Sequence, residues 1–189
     1  MISKIQNERR LKDCIRYEIE DEGIGVGVDE KLTHDDYIGI KVDDYYNGLH
    51  IATPPKSTDY VVVVDNSCDM YNLYILEMKN VGDSKGLDIR AIQEKFSTTI
   101  ENFLSDRFKD IFMNDRYGYK DINLYLVSDA YDEKSKYKTH EEHRKQLKKA
   151  GRDSLKVDIG LASKTYKFRG KKLMIKYEIP PNPIIHKTT

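Results

Sequence analysis

The sequence predicts an α/β protein in which a mixed central β-sheet is flanked by helices. Residues 60–65 and 73–79 are apolar and strand-like, and the turn-forming residues NSCDMYN between them are typical of an antiparallel hairpin with a longish loop. A long amphipathic pattern begins at Asp88, and a third strong strand, INLYLVS at 122–128, follows it. Strands and helices in this order indicate a sheet covered by helices.

The first sixty residues give weaker signals. Leu11, Cys14 and Ile15 fall at helical spacing, so NERRLKDCIRYEIE (7–20) is predicted as a helix that ends at Gly23. The segment GIGVGV lacks the spacing of a phosphate-binding loop and is predicted as a turn that enters a strand. DYIGIKV is compatible with a strand, and ATPPKSTD with an extended loop because each proline restricts the residue before it.

The long helix has its apolar residues three to five positions apart, which predicts one face packed on the sheet. Asp88 is its predicted N-cap. The residues of the stripe are Ile89, Ile92, Phe96, Ile100, Phe103 and Phe108.

The last third of the chain is predicted to hold one helix and several strands. Thr139 and Glu142 form a T-x-x-E capping box that opens a helix over HEEHRKQLKKAG, and Gly151 ends it. Three segments are predicted as strands, with RG as a turn between the last two. They are LKVDIGL, KTYKF and KKLMIKYEI.

Length and composition favour a single domain over residues 1–189. Neither a membrane location nor an oxidising compartment is expected for it. The sequence contains no apolar stretch of twenty residues, the length that a membrane-spanning helix needs. No apolar segment follows the first charges as it would in a secretion signal, so a cytoplasmic location is expected. The two cysteines lie far apart, which suits reduced thiols. The 32 basic residues balance the 32 acidic ones, so any surface that binds nucleic acid must be local.

Glu77 and Lys79 interrupt the apolar strand LYILEMKN near its end. Side chains alternate along a strand, so these two share a face. Burying either charge alone is costly, and a salt bridge between strand neighbours compensates poorly. A divalent cation would compensate better, because carboxylate oxygens are hard ligands suited to Mg²⁺.

Asp59 is the predicted second carboxylate of this site. If 60–65 and 73–79 pair as a hairpin, the start of the first strand lies beside the end of the second, which brings Asp59 close to Glu77. Asp65 is the competing residue, but it lies at the turn end of the hairpin.

These residues resemble the core of the PD-(D/E)XK nuclease superfamily, to which most type II restriction endonucleases belong. The resemblance covers about residues 57–128: Asp59, a hairpin, Glu77-Met78-Lys79, a long helix and a third strand. The sequence departs from the family pattern at Thr58, where proline is commonest.

The resemblance implies a mechanism and further site residues. Asp59 and Glu77 would bind Mg²⁺, or Mn²⁺, and Lys79 would orient the attacking water or accept its proton, leaving a 5′-phosphate and a 3′-hydroxyl. Family members often add an acid from the N-terminal helix, here Glu18 first and Glu20 or Glu22 next. Many also add a polar residue from the helix after the ExK strand, here Gln93.

DNA contacts are predicted at two places. Residues 164–177 contain no acid, and the basic strands within about 155–179 suit phosphate contacts or entry into the major groove, although a lysine-rich edge strand that discourages aggregation is about equally compatible. The lysines and arginines near the proposed metal site are also candidate phosphate contacts. The predicted DNA-binding residues are Lys85, Arg90, Lys95, Lys167, Arg169, Lys171 and Lys172.

The function expected from the sequence is therefore a magnesium-dependent endonuclease that cleaves double-stranded DNA. A neutral chain favours a site-specific type II restriction enzyme acting as a homodimer, because a nonspecific nuclease depends more on phosphate contacts. A cognate DNA methyltransferase encoded nearby would fit this class. The alternatives are a nonspecific, repair or defence nuclease of the same fold, or a catalytically inactive DNA-binding domain.

Overall fold

The computed structural model describes residues 1–81, 84–130 and 154–188. Its strands are β1 (Ile15–Arg16), β2 (Glu20–Asp21), β3 (Ile24–Gly25), β4 (Tyr37–Lys41), β5 (Tyr60–Asp65), β6 (Met70–Lys79), β7 (Gly118–Ser128), β8 (Tyr166–Phe168), β9 (Lys171–Leu173) and β10 (Ile175–Glu178). Its α-helices are α1 (Ile2–Asn7), α2 (Val42–Gly48), α3 (Ile89–Thr98), α4 (Lys109–Phe112) and α5 (Ser154–Ala162). Two 3₁₀ segments (Arg9–Cys14 and Ser84–Gly86) and a π-helix (Thr99–Arg107) complete these elements.

Six strands form the central sheet in the order β1-β4-β5-β6-β7-β10. The first four pair antiparallel, whereas β7 runs parallel to both β6 and β10. A parallel neighbour requires a crossover, and α3 with the π-helix supplies it between β6 and β7. The predicted fold class, a mixed sheet flanked by helices, is confirmed.

The two faces of the sheet are covered by different parts of the chain. On one face, Val61 and Ile75 join the core cluster that contains Phe96 of α3 and Phe103 of the π-helix. On the other face, the alternate residues of β5 and β6 form a second cluster with side chains of the N-terminal segment and with Ile185. The strands are buried on both sides, which explains why their sequences read as continuous apolar runs.

The long helix begins where the sequence predicts. The Asp88 side chain accepts hydrogen bonds from the backbone N–H groups of Arg90 and Ala91, as an N-cap does. The apolar stripe continues beyond α3 into the π-helix, where Ile100 and Phe103 are buried.

The predicted helix over 7–20 is wrong. A 3₁₀ turn ends at Cys14, and the chain then becomes extended through β1 and β2. Leu11 and Cys14 pack with the helix-covered cluster, while Ile19 packs on the opposite face of the sheet. A single helix could not place these residues on both sides of a sheet, so tertiary packing overrides the helical spacing.

The predicted strand LKVDIGL is also wrong, because these residues lie in helix α5. Val157 and Leu161, four positions apart, are buried, whereas Ile159 is exposed. The segment fits both a period of two and a helical period, and packing against α3 and β10 selects the helix.

The predicted turns agree with the structure. Glu22 and Gly23 adopt positive φ between β2 and β3, and Arg169 and Gly170 do so between β8 and β9. Two successive residues with positive φ match the twist of the strands that they join. Within DYIGIKV, residues 37–41 form β4, Asp36 precedes the strand and Val42 begins α2.

Two further sequence predictions concern the helix after Thr139 and membrane-spanning segments. The helix opened by Thr139 and Glu142 and its stop at Gly151 lie outside the described residues. Within the described part of the chain, none of the helices has the length and apolar character needed to span a membrane.

Candidate functional site

The register of the β5–β6 hairpin places Asp59 opposite Glu77. Tyr60 pairs with Leu76, so the residue before β5 faces the next residue of β6 across the ladder. Asp65 pairs with Tyr71 at the turn end of the hairpin, five residues along β5. The register thus separates the two aspartates as the hairpin argument requires.

Both carboxylates are buried at the edge of the helix-covered core. Glu77 follows Leu73 and Ile75 on the same face of β6 and is 0% exposed, and Asp59 is 4% exposed. The backbone N–H of Met78 donates a 2.6 Å hydrogen bond to Oδ2 of Asp59. This bond joins the loop before β5 to the end of β6 and holds the Asp59 carboxylate in place.

Two lysines contact the acid pair from different elements. Lys79, on the same strand, places Nζ 3.2 Å from Oε1 of Glu77. Lys95, from α3, places Nζ 2.7 Å from the same oxygen and 3.9 Å from Oδ1 of Asp59. One ammonium group therefore lies within ion-pair distance of both carboxylates, which sets their oxygens well under a nanometre apart.

The sequence places Lys95 near the site but misses its contact with the acids. Lys95 lies three residues after Ile92 and four before Thr99, both of which are buried. A lysine at this position on a helix lies along the sheet-facing stripe, and its ammonium can reach past the stripe to the strand ends. That spacing was the available signal.

Burial and mutual repulsion shift the ionisation of the acids. Burial and then the Glu77 charge raise the pKa of Asp59 to about 7. Burial also raises the pKa of Glu77, against the opposing effect of Lys95 and Lys79. Burial lowers the pKa of Lys79, but the charges of Glu77 and Asp59 outweigh it and the net shift is upward. Lys79 is thus an ammonium group in the metal-free site.

One carboxylate oxygen of the site is left without a partner. Oε2 of Glu77 is buried and has no hydrogen-bond partner among residues 1–81, 84–130 and 154–188. Buried carboxylate oxygens normally have a hydrogen-bond or metal partner, so this atom marks a place for a ligand.

The donor set fits Mg²⁺ better than it fits a metal that needs a complete protein cage. Across the described residues, no group of three or more histidines, cysteines or carboxylates is placed to hold a metal ion. Mg²⁺ is commonly held by one or two carboxylates, with water and substrate phosphate completing its shell. Asp59 and Glu77 supply hard oxygens of that kind.

Thr58 has a structural role that proline could not fill. Its backbone N–H donates to Oγ1 of Thr99 at 3.0 Å, and its hydroxyl lies 3.0 Å from the same atom. Both threonines are fully buried. Proline lacks the N–H, so the departure from the family pattern matches a link between the Asp59 loop and the π-helix.

The structure does not bring Glu18 to the acid pair. Glu18 is exposed, and its charge is among the causes that raise the pKa of Tyr37. Tyr37 pairs with Val64, near the turn end of β5 and away from Asp59. The helix expected over 7–20 does not form, so the argument for a helix-borne acid at this position is lost.

Asp21 is the N-terminal acid whose charge reaches the pair. Its charge is among the causes that raise the pKa of Asp59, and its carboxylate forms an ion pair with Lys41. The charge of Glu22, one residue on, is among those that raise the pKa of Lys79. The β2–β3 turn also reaches the end of β6, where Asn80 donates to the carbonyl of Glu22. Asp21 is not among the predicted site residues, because the segment before it has the spacing of a helix.

Gln93 is directed away from the carboxylates. Its Nε2 donates to the carbonyl of Gly160 at 2.9 Å and to Oγ of Ser163 at 3.2 Å. Gln93 therefore connects α3 to the end of α5.

The other basic residues near the site are on the surface. Lys85 and Arg90 are exposed before and at the start of α3. Arg90 and Lys164 line a shallow groove of about 590 Å³ beside α3 and the π-helix.

The turn end of the basic hairpin lies beside the start of β7, at the other end of the sheet. Arg169 donates to the carbonyls of Met113 and Tyr117, and Lys171 donates to those of Tyr119 and Lys120. Two of the predicted DNA contacts thus bind backbone carbonyls, whereas Lys167 and Lys172 are exposed.

The distance from this hairpin to the acid pair follows from the register of β7. Glu77 pairs with Leu126, seven residues along β7 from Tyr119. At about 3.3 Å per residue, the Tyr119 carbonyl that Lys171 contacts lies roughly 23 Å from the acid pair along the strand. The structure therefore places Lys171 far from the acid pair, whereas the start of the hairpin packs on α3, where the Tyr166 hydroxyl donates to the carbonyl of Gln93.

No protein-family model, curated protein or solved structure matches this chain.

Proposed function

We propose that this protein is a magnesium-dependent endonuclease that hydrolyses phosphodiester bonds in double-stranded DNA. The observation that carries the proposal is the buried pair Asp59 and Glu77 at the end of the β5–β6 hairpin, beside Lys79 and with no partner for Oε2 of Glu77 among the described residues. Buried acids with shifted pKa values that meet a lysine at a strand end are typical of catalytic sites.

The residues of the site would divide the work as follows. Asp59 and Glu77 would hold Mg²⁺, and the Met78 N–H keeps Asp59 oriented. A bound Mg²⁺ supplies polarisation of the phosphodiester and activation of water. Lys79, whose side chain is 30% exposed, reaches solvent. As an ammonium group it can orient the attacking water, and it can take up the proton of that water only after it has released its own proton to solvent, which neutralised carboxylates would favour.

The proposed enzyme is site-specific, of the type II restriction class, and acts as a homodimer. A chain with no net charge gains little affinity from phosphate contacts alone, which favours contacts to base edges. Two-fold symmetry would match a palindromic site. A neighbouring DNA methyltransferase gene would support this class, and a nonspecific repair or defence nuclease is the alternative within the same chemistry.

Incubation of supercoiled plasmid with the purified protein tests the proposal. We expect cleavage with Mg²⁺ or Mn²⁺ and none with EDTA. Discrete bands would indicate a site-specific enzyme, whereas a smear would indicate a nonspecific one. Absence of cleavage under all metal conditions, across plasmids of varied sequence, would contradict the proposal.

The Lys79→Ala variant separates an enzyme from an inactive DNA-binding domain. We expect lost cleavage with retained DNA binding, and Lys12→Ala, which removes an exposed lysine in the first 3₁₀ segment, is the matched control. An inactive domain would show the same properties with and without Lys79.

A further inference from the structure

Lys95 lies where a cation shared by the two carboxylates would lie. Its Nζ is 2.7 Å from Oε1 of Glu77 and 3.9 Å from Oδ1 of Asp59. Among the described acids, Lys79 forms an ion pair with Glu77 only, and its Nζ is farther from the shared oxygen, at 3.2 Å. Of the two ammonium groups, Lys95 is therefore the one placed to neutralise the pair.

The same geometry leaves the site incomplete. Two carboxylates that are 0% and 4% exposed need more compensation than hydrogen bonds give, and both ammonium groups make their close contact at Oε1 of Glu77. Oε2 of Glu77 remains buried and without a partner in the described part of the chain even with Lys95 in place. A divalent cation would supply twice the charge of either ammonium group and could bind Oε2 of Glu77.

The Lys95 side chain can leave the acid pair without unfolding its helix. It is 20% exposed, so its ammonium has access to solvent. Residues 93 and 94, next to it on α3, line the shallow groove beside the π-helix. Lysine has a flexible four-carbon stem, so a change of rotamer is enough to withdraw the charge.

We propose that Lys95 is the internal competitor of the divalent cation: its ammonium holds Asp59 and Glu77 together in the metal-free protein and is displaced when metal binds. This inference rests on the proposed function, because it takes the acid pair to be the metal site. Lys95 sets the metal concentration that the site requires. Once displaced, its ammonium becomes available for a substrate phosphate.

Mn²⁺ titration tests this inference without any cleavage assay. The probe is Mn²⁺ alone, and binding is measured by calorimetry and by the free Mn²⁺ signal in electron paramagnetic resonance. The variants are Lys95→Met and Lys95→Gln, which remove the charge, and Lys95→Arg, which keeps it. The matched control is Lys164→Met. Lys164 lines the groove beside α3, and its ammonium donates to Oγ of Ser97 and makes no contact with the acid pair.

We expect the neutral variants to bind Mn²⁺ at least about tenfold more tightly than the wild type, because one adjacent opposite charge changes a carboxylate's affinity for a proton by about ten- to a thousandfold. Lys95→Arg and Lys164→Met should bind no more tightly than the wild type. Thermal unfolding should show a lower Tm for Lys95→Met without metal and a larger rise on addition of Mn²⁺ than the wild type shows.

The outcomes separate the two proposals. If the wild type binds Mn²⁺ and Lys95→Gln binds it equally or more weakly, the competitor role of Lys95 is wrong. The proposal that the acid pair is a metal site is then unaffected. Tighter Mn²⁺ binding in Lys95→Arg also overturns the competitor role, because this variant keeps the positive charge. This test still applies if the neutral variants fail to fold. If neither the wild type nor any variant binds Mn²⁺, the metal-dependent function fails and this inference fails with it.

Discussion

Strand β6 buries a polar side chain near each end, and the two differ in how completely their polar atoms are paired. Asn72 is 0% exposed, and both polar atoms of its amide have partners: Nδ2 donates to the carbonyl of His186 and to Oγ1 of Thr188, and Oδ1 accepts from Asn66. Glu77 is also 0% exposed, yet its two lysine contacts converge on Oε1 and leave Oε2 without a partner in the described residues.

The difference separates a structural polar residue from a candidate functional one. A buried amide with all of its hydrogen bonds made contributes to stability, here by attaching the C-terminal segment to the sheet. A buried carboxylate with an unpartnered oxygen and a raised pKa costs stability and is kept only where something else requires it. Buried polarity therefore does not by itself indicate a site, whereas incomplete pairing of a fully buried carboxylate beside a second buried acid does.

The largest expected effect tests the Glu77 side of this comparison. Glu77→Gln keeps the shape of the side chain but removes the charge, so we expect no plasmid cleavage above the metal-free background and no Mg²⁺-dependent rise in Tm. The fold should survive, because the change relieves repulsion with Asp59. Glu94→Gln, at a carboxylate of α3 that is 62% exposed, is the matched control and should cleave normally.

Removing the neighbouring ammonium should have the next largest effect. Lys79→Met should slow cleavage about a hundredfold or more, the range for loss of a group that moves or orients a proton. Metal binding should persist, because Asp59 and Glu77 are intact. Single-turnover cleavage at saturating Mg²⁺ measures the rate, and an unchanged rate would remove Lys79 from the mechanism.

The Asn72 side of the comparison predicts the opposite pattern. Asn72→Ala removes three part-buried hydrogen bonds, to Asn66, His186 and Thr188, so the free energy of unfolding should fall by about 1–3 kcal/mol. Urea unfolding measures this loss. The folded protein should still respond to Mg²⁺ as the wild type does, and a lost response would mean that Asn72 serves the site as well.

The acid pair also predicts how stability depends on pH. Folding raises the pKa of Asp59 to about 7, so between about pH 4 and pH 7 the folded protein holds a proton that the unfolded chain releases. The contribution of Asp59 to the free energy of unfolding should therefore fall as the pH rises through this interval. Subtracting the pH profile of Asp59→Asn isolates it, and saturating Mg²⁺, which favours the ionised form, should flatten it. A difference that rises with pH would contradict the raised pKa.

Strands β5, β6 and β7 and helix α3 were predictable because their signals are local. Two apolar runs around a loop fix the β5–β6 register, and that register places Asp59 opposite Glu77 without knowledge of the rest of the chain. Asp88 and the apolar stripe define α3 in the same way.

What the sequence missed depends on contacts between distant segments. Cys14 and Ile19 have helical spacing but belong to opposite faces of the sheet, and only the complete core shows that. Lys95 contacts Glu77 across eighteen residues, so no short motif contains both members of the pair. LKVDIGL satisfies two periods at once, and the packing surface of α3 decides between them.

The smallest predicted effect compares two N-terminal acids. Asp21 acts on Asp59 only through its charge, so Asp21→Asn should weaken Mn²⁺ binding by less than about tenfold, which corresponds to less than about 1.4 kcal/mol. Glu18→Gln should leave the Mn²⁺ affinity unchanged, because Glu18 lies by Tyr37 near the turn end of β5. The two substitutions remove the same charge from positions three residues apart, so each controls for the other in calorimetric titration. A larger loss in Glu18→Gln would mean that the N-terminal segment rearranges when metal binds and would restore the acid that the family resemblance favours.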